Sequence, residues 1–124
     1  PPTALPSALV VLEALLRVQE FEAFEKAVAA YERIEAPPRF RREHLARVYL
    51  RRGYVDSAAE EWLDIARRDP DADAYLGLAR VAVAKGLPDD ALEFATAALQ
   101  ADPTHEEALR LRDALLARTA TLAA

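Results

Sequence analysis

The sequence predicts an all-α protein built from antiparallel helix-turn-helix repeats, with about seven helices along its 124 residues. Three observations predict this fold class: an internal repeat of fixed length, apolar side chains spaced three and four apart, and almost no alternating strand pattern. The length suits one folded domain, so residues 1–124 are predicted to form a single domain of stacked helix pairs.

The repeat appears as glycine, alanine, leucine and proline features that recur at one fixed offset, the distance from Gly53 to Gly86. The recurring pairs are Gly53 and Gly86, Ala58 and Ala91, Leu45-Ala46 and Leu78-Ala79, and Asp69-Pro70 and Asp102-Pro103. Because these features share one register, each copy is a unit of the fold, and the chain contains more than one such unit.

Residues 7–38 form a degenerate first repeat, with helices predicted near 7–18 and 21–34. Their apolar residues follow a helical spacing, but no glycine marks the turn between them. Two registers remain open. One places Ala27 where the two helices cross, and the other places Gln19 at the turn, in the position that Gly53 has in the next repeat.

The second repeat, 39–71, predicts helices near 40–52 and 55–68, and the third, 72–105, predicts helices near 72–85 and 88–100. Gly53 and Gly86 end the first helix of each pair, because glycine adopts a left-handed backbone at little cost. Pro88 suits a first helical turn, where its missing N–H is not needed. Thr104 and Glu107 predict a capping box at the start of a C-terminal capping helix. The helix is predicted near 105–118, and the capping segment of the domain is 106–121.

Residues 39–105 resemble the tetratricopeptide repeat family, a helix-turn-helix unit of about 34 residues that stacks into an α-solenoid. The matching positions are Leu45-Ala46, Tyr49, Gly53, Ala58, Trp62 and Pro70 in one copy, and Tyr75, Leu78-Ala79, Gly86, Ala91, Ala98 and Pro103 in the next. Arg42 departs from the pattern, because the family prefers an aromatic residue there. The resemblance implies a non-catalytic protein-protein interaction module, with small residues at Ala58 and Ala91 where paired helices cross.

Candidate residues for chemistry are scarce. The chain has no cysteine, and its two histidines, His44 and His105, lie far apart in the sequence without a partner at helical spacing. Acidic pairs such as Asp89-Asp90 are adjacent in sequence, so their carboxylates diverge around a helix instead of facing each other. No catalytic residue, cofactor site or metal site is predicted. The net charge of −5 argues against a nucleic-acid partner, and no segment predicts a membrane span. The absence of cysteine favours a cytoplasmic location.

The segment 37–53 is the basic part of the chain, with six arginines and one acid. The family resemblance implies that the first helix of each pair lines a concave groove that binds a protein or peptide partner. The groove positions are Phe40, Glu43, Arg47, Leu50, Arg51, Asp73, Leu76, Arg80 and Val83. Arginines at 47, 51 and 80 could hold the carboxylates of an acidic peptide in bidentate pairs. The alternative is that they only solvate the groove or bridge to Glu43 and Asp73.

The N-terminal helix carries more apolar residues than one neighbouring helix can cover, which predicts a contact beyond its own repeat. The partner would be a second copy of the chain, giving a homodimer, or an attached domain. Because the chain begins Pro-Pro-Thr and lacks methionine, we expect it to be part of a longer protein. Residues 15–24, 49–53 and 57–62 also resemble helical tails that follow glycosyltransferase-type domains in bacteria. That resemblance implies a structural or oligomerisation module of a larger enzyme as the alternative function.

Overall fold

The computed structural model describes residues 4–34 and 37–123. Over these residues the chain forms seven α-helices and no strand, which confirms the predicted fold class. The helices are α1 (Ala4–Arg17), α2 (Phe21–Glu32), α3 (Pro38–Arg51), α4 (Val55–Arg68), α5 (Ala72–Ala84), α6 (Pro88–Ala101) and α7 (Glu106–Ala123).

The helix ends lie close to the predicted ones, except at the end of α7, which continues to Ala123 instead of stopping near 118. Its last turns contain alanine, a strong helix former, and two threonines. The hydroxyls of Thr119 and Thr121 donate to the carbonyls of Leu115 and Ala117, each at 3.0 Å. These bonds follow the helical register, so the threonines do not interrupt the helix.

The chain divides into two compact units, the first ending at Glu61 and the second beginning at Trp62, within α4. In unit 1, α1 packs against α2, and both contact α3. In unit 2, α6 packs against α5 and α7, and α5 also contacts α7. Each unit therefore contains a helical hairpin with a third helix against it.

The turns after α1, α3 and α5 share one backbone conformation, with φ of 61° at Gln19, 85° at Gly53 and 73° at Gly86. The same two backbone hydrogen bonds close each turn, for example Gly86 N–H to the Val83 carbonyl at 3.0 Å and Leu87 N–H to the Ala82 carbonyl at 2.9 Å. The open question of register is thereby answered. Gln19 is the turn residue of the first repeat, and it adopts a left-handed conformation without being glycine.

The core of unit 1 contains large side chains contributed by α1, α2 and α3. The buried residues are Leu12, Leu16, Phe24, Tyr31, Leu45 and Val48. The Tyr31 hydroxyl donates to the Arg41 carbonyl at 2.8 Å, and the Arg41 guanidinium donates to the Ile34 carbonyl at 2.8 Å. Burial raises the pKa of Tyr31 to about 12. These bonds fix the start of α3 against α2.

The core of unit 2 is rich in alanine and contains one tryptophan. Its buried alanines are Ala72, Ala74, Ala79, Ala82, Ala91, Ala95, Ala98 and Ala108. Ala91 of this core and Ala58 of unit 1, which the family resemblance assigns to helix crossings, are both fully buried. Trp62 lies directly on Gly77, where a Cβ atom would be 2.1 Å from the indole Cδ2. Small residues let helices approach closely, and Gly77 gives the indole its space.

The predicted capping box at the start of α7 is wrong. The cap is His105, whose Nδ1 accepts a hydrogen bond from the Ala108 N–H at 3.2 Å, while its Nε2 contacts Asp73 at 2.7 Å. Thr104 instead donates to Asp102, at 2.9 Å from its hydroxyl. A histidine can replace the usual Ser, Thr, Asp or Asn here because an unprotonated ring nitrogen accepts a hydrogen bond as their oxygen does.

Candidate partner-binding site

The six arginines of the basic segment lie on α3 or directly after it, and most of them bind other parts of unit 1. Arg39 Nε donates to Glu43 Oε1 at 2.7 Å along the same helix. Arg42 Nη1 donates to Glu61 Oε2 at 3.3 Å. Arg42 is the residue that departs from the family pattern, so a charged pair takes the place of an aromatic contact there.

Two more arginines bind one carboxylate on α1. Arg51 Nη2 lies 2.9 Å from Glu13 Oε2, and Arg52 Nη2 lies 3.1 Å from Glu13 Oε1. The hydrogen bond from Arg51 lowers the pKa of Glu13, because it stabilises the ionised carboxylate. Of the predicted groove residues on α3, Arg51 therefore bridges to α1, and Glu43 bridges to Arg39.

Arg47 is different from the other five. Its side chain is exposed and makes no hydrogen bond or ion pair with any residue in the described ranges, 4–34 and 37–123. It lies on the same face of α3 as Phe40, which is 43% exposed, and His44. The ring centroids of Phe40 and His44 are 4.1 Å apart, and His44 Nδ1 lies 2.8 Å from the Phe40 carbonyl oxygen. We call Phe40, His44 and Arg47 the α3 stripe.

His44 is the member of the α3 stripe that the predicted groove residues omit. A carbonyl oxygen can only accept a hydrogen bond, so His44 Nδ1 is the donor to the Phe40 carbonyl. The Nε2 atom of His44 takes no part in this bond. The spacing of four and then three residues from Phe40 to His44 to Arg47 was visible in the sequence. It indicates a shared helix face, although it does not indicate that the two rings touch.

On α5, the predicted groove residues have different environments. Leu76 is buried and packs against Ala72, Ala98 and Ala108, so it offers almost no surface to a partner. Arg80 and Glu107 form an ion pair between α5 and α7. Asp73 binds His105 at 2.7 Å, and the predicted bridges from the groove arginines to Glu43 and Asp73 are not seen among the residues that the structure describes.

Two apolar groove positions remain accessible. Val83 on α5 is 41% exposed, and Leu50 on α3 is partly buried.

Within the described ranges there is no group of three or more histidine, aspartate or glutamate residues that could hold a metal ion. None of the helices there is long and apolar enough to cross a membrane.

Helix pairs that recur at one fixed offset, with a left-handed turn inside each pair, define a helical-repeat protein. The family model for the tetratricopeptide repeat matches residues 44–106, and the chain belongs to the tetratricopeptide repeat family. No curated protein matches the chain. Repeats of this family generally mediate protein-protein interactions and are typically non-catalytic.

Proposed function

We propose that this protein is a non-catalytic interaction module that binds an acidic peptide or protein segment on the exposed face of α3, with α5 of unit 2 as a second, weaker surface. The proposal rests on the environment of the Arg47 side chain. Its guanidinium is exposed and has no partner in the described part of the chain, while aromatic surface lies on the same helix face. Family membership supports a protein partner.

The chemistry of the α3 stripe suits a segment that carries both carboxylates and apolar side chains. A guanidinium binds a carboxylate through two parallel N–H bonds, and such charge-assisted bonds contribute about 1.5–3 kcal/mol each. Phe40 gives an apolar contact two helical turns away. A partner with an acidic residue and an aliphatic or aromatic residue at that distance would use both.

On α5, Arg80 would have to exchange Glu107 for a carboxylate of the partner. Both side chains of this pair are about half exposed, and exposed ion pairs contribute only about 0.2–1 kcal/mol. The exchange therefore costs little, but Arg80 should add less to binding than Arg47. Val83 offers apolar contact on the same helix.

The test is the fluorescence anisotropy of a labelled peptide that alternates Glu and Asp with Leu and Phe. We expect Arg47→Glu to weaken its binding at least about tenfold, because one charge-assisted contact is lost and a repulsive charge is added. Arg80→Glu should weaken it less. Raising the salt concentration should weaken binding to the wild type, since exposed charges are screened.

The matched control is Arg118→Glu, which makes the same charge change at an exposed arginine on α7. Its affinity should equal that of the wild type. A second control peptide, with Gln replacing every acid, should bind weakly to all variants. Unchanged affinity after both Arg47→Glu and Arg80→Glu would refute the proposal and direct the search for a partner to another face.

The second candidate function is that of a structural module. Exposed valines on α1 and directly after it favour this function. Val10 and Val18 are 70% and 61% exposed, and apolar surface of this kind marks sites of association. The module would associate with itself or support an attached domain, for which the resemblance to tails of glycosyltransferase-type domains is the sequence argument.

A further inference from the structure

One face of the α1–α2 hairpin in unit 1 is apolar and open. Along it the residues follow spacings of four and three, the pattern of helices that pack side by side. The residues of this face are Ala8, Val11, Leu15 and Val18 from α1 and the residue after it, and Ala23, Ala27, Ala30 and Ile34 from α2 and the residues after it. We call these eight residues the hairpin face.

The hairpin face adjoins the core of unit 1, which uses Leu12, Leu16, Phe24 and Tyr31 from the same two helices. Four of its residues are partly buried and pack against that core, namely Ala8, Leu15, Ala27 and Ile34, whereas Val18, Ala23 and Ala30 are exposed. On the hairpin face, Val11 is 52% exposed. An apolar cleft of about 330 Å³ lies between α1 and α2 and is lined by Ala8, Val11, Ala27, Ala30, Tyr31 and Ile34. None of these lining residues is charged.

The last helix of the chain provides a contrast within unit 2. The exposed side of α7 carries charged residues, among them Glu106, Arg110 and Asp113. The end of a helical-repeat stack needs a polar outer face, because apolar surface that no neighbour covers associates with other molecules. By this criterion the outer side of α7 is suited to solvent, whereas the hairpin face is suited to association with another helix pair.

Charges beside the hairpin face indicate which helix pair covers it. At about 100° per residue, positions 22, 26, 29 and 33 form one flank of α2, next to its apolar residues. Glu22 lies at the start of this flank, Lys26 lies one helical turn later, and Arg33 lies at its end. All three are exposed, and in the described part of the chain none has an ion-pair partner.

We propose that the hairpin face binds the same face of a second copy of this chain, with the two α2 helices antiparallel. The flank of one copy then lies beside the flank of the other copy and runs in the opposite direction, so that Glu22 of each copy faces Arg33 of the other. The two-fold symmetry forms this pair twice. In a parallel two-fold arrangement the flanks of the two copies would lie on opposite edges of the interface, so Glu22 and Arg33 would not pair with each other.

The resulting assembly is a four-helix bundle made from two hairpins. Val11 and Leu15 of each copy fill the cleft of the other, and the alanines at 23, 27 and 30 let the α2 helices approach closely. The proposal stands independently of the α3 stripe, because no residue of that stripe belongs to the hairpin face or its flank.

Sedimentation equilibrium from low-micromolar to near-millimolar concentration tests the proposal. We expect the wild type to dimerise reversibly. Val11→Glu and Ala30→Glu should each raise the dissociation constant at least about tenfold, because a carboxylate would be taken out of water into an apolar interface. Leu116→Glu is the control, since Leu116 is 47% exposed on α7, and it should dimerise like the wild type. Circular dichroism checks that each variant folds.

The flank charges test the antiparallel arrangement. Glu22→Arg and Arg33→Glu should each weaken self-association, whereas an equimolar mixture of the two variants should restore it, because each opposite-charge pair forms again. A wild type that stays monomeric at every concentration would overturn the proposal. So would a dimer that is insensitive to Val11→Glu, or a mixture that does not restore association.

Discussion

Arg47 in unit 1 and Arg80 in unit 2 occupy the same repeat position, but only one of them is available. Arg80 is bound by Glu107, which α7 supplies, whereas Arg47 has no partner among the described residues. A repeat position therefore does not by itself determine whether a charge can bind a ligand. The residues that the rest of the unit places beside it decide that.

The cores of the two units differ as well. At the same distance after the turn residue, unit 2 has Ala91, whereas unit 1 has Phe24. Phe24 is buried and contacts the Tyr49 ring edge to face, with ring centroids 5.7 Å apart. The two hairpins share one turn conformation. The interior of the unit 1 hairpin is filled with aromatic side chains, and that of the unit 2 hairpin with closely packed alanines. The turn is thus independent of the size of the residues that follow it.

The largest effect that distinguishes the two cores should come from Gly77→Ala. The added Cβ would lie 2.1 Å from the indole of Trp62, so the helix or the indole must move. Overpacking of this kind lowers the free energy of unfolding by about 1–3 kcal/mol. Thermal and urea unfolding followed by circular dichroism would measure the loss.

A double-mutant cycle separates this clash from other effects. In a Trp62→Leu background the indole is absent, so Gly77→Ala should be neutral or stabilising by up to about 1 kcal/mol through helix propensity. If the alanine costs the same in both backgrounds, the close approach of Trp62 and Gly77 is not the cause.

A smaller effect should come from exchanging the turn residues of the two units. Gln19→Gly should raise the free energy of unfolding by about 1 kcal/mol, because glutamine is strained in the left-handed conformation and glycine is not. Gly86→Gln should lower it by about 1–2 kcal/mol for the same reason. No atom lies within 4 Å of the Cβ position at Gly86, so crowding does not contribute.

The sign of these two changes is the informative result. If Gln19→Gly destabilises the protein, then the glutamine side chain makes a contact that outweighs its strained backbone. The turn after α1 would then differ from those after α3 and α5 in more than its residue. The midpoints of urea unfolding give the sign of each change, provided that the free energy of unfolding depends on urea concentration equally in all variants.

Much of the fold could be predicted from the sequence because its determinants are local. Gly53, Gly86 and Pro88 mark helix ends through backbone preferences, and the fixed offset between the two glycines relates one pair to the next. The register of the first repeat could not be decided, because Gln19 lacks the glycine that marks the other turns. The close approach of Gly77 to Trp62 was also missed, since both residues look ordinary in a helical pattern.

The candidate site was harder to predict because ion pairs join residues that are far apart in sequence. Arg51 and Glu13 are 38 residues apart, and Arg80 and Glu107 are 27 residues apart. The sequence identifies which arginines lie on the first helix of each pair, but not which carboxylates reach them. Leu76 shows the same limitation for apolar residues, because its burial depends on α6 and α7.

The most direct test of the proposed function is a backbone amide NMR titration of the protein with the acidic, apolar peptide. We predict that the largest chemical-shift changes cluster at Phe40, His44 and Arg47, with smaller changes near Arg80, and that Arg47→Glu removes the changes on α3. Changes confined to α1, α4 or α6, with the signals of the α3 stripe unmoved at saturating peptide, would contradict the assignment of this surface as the binding site.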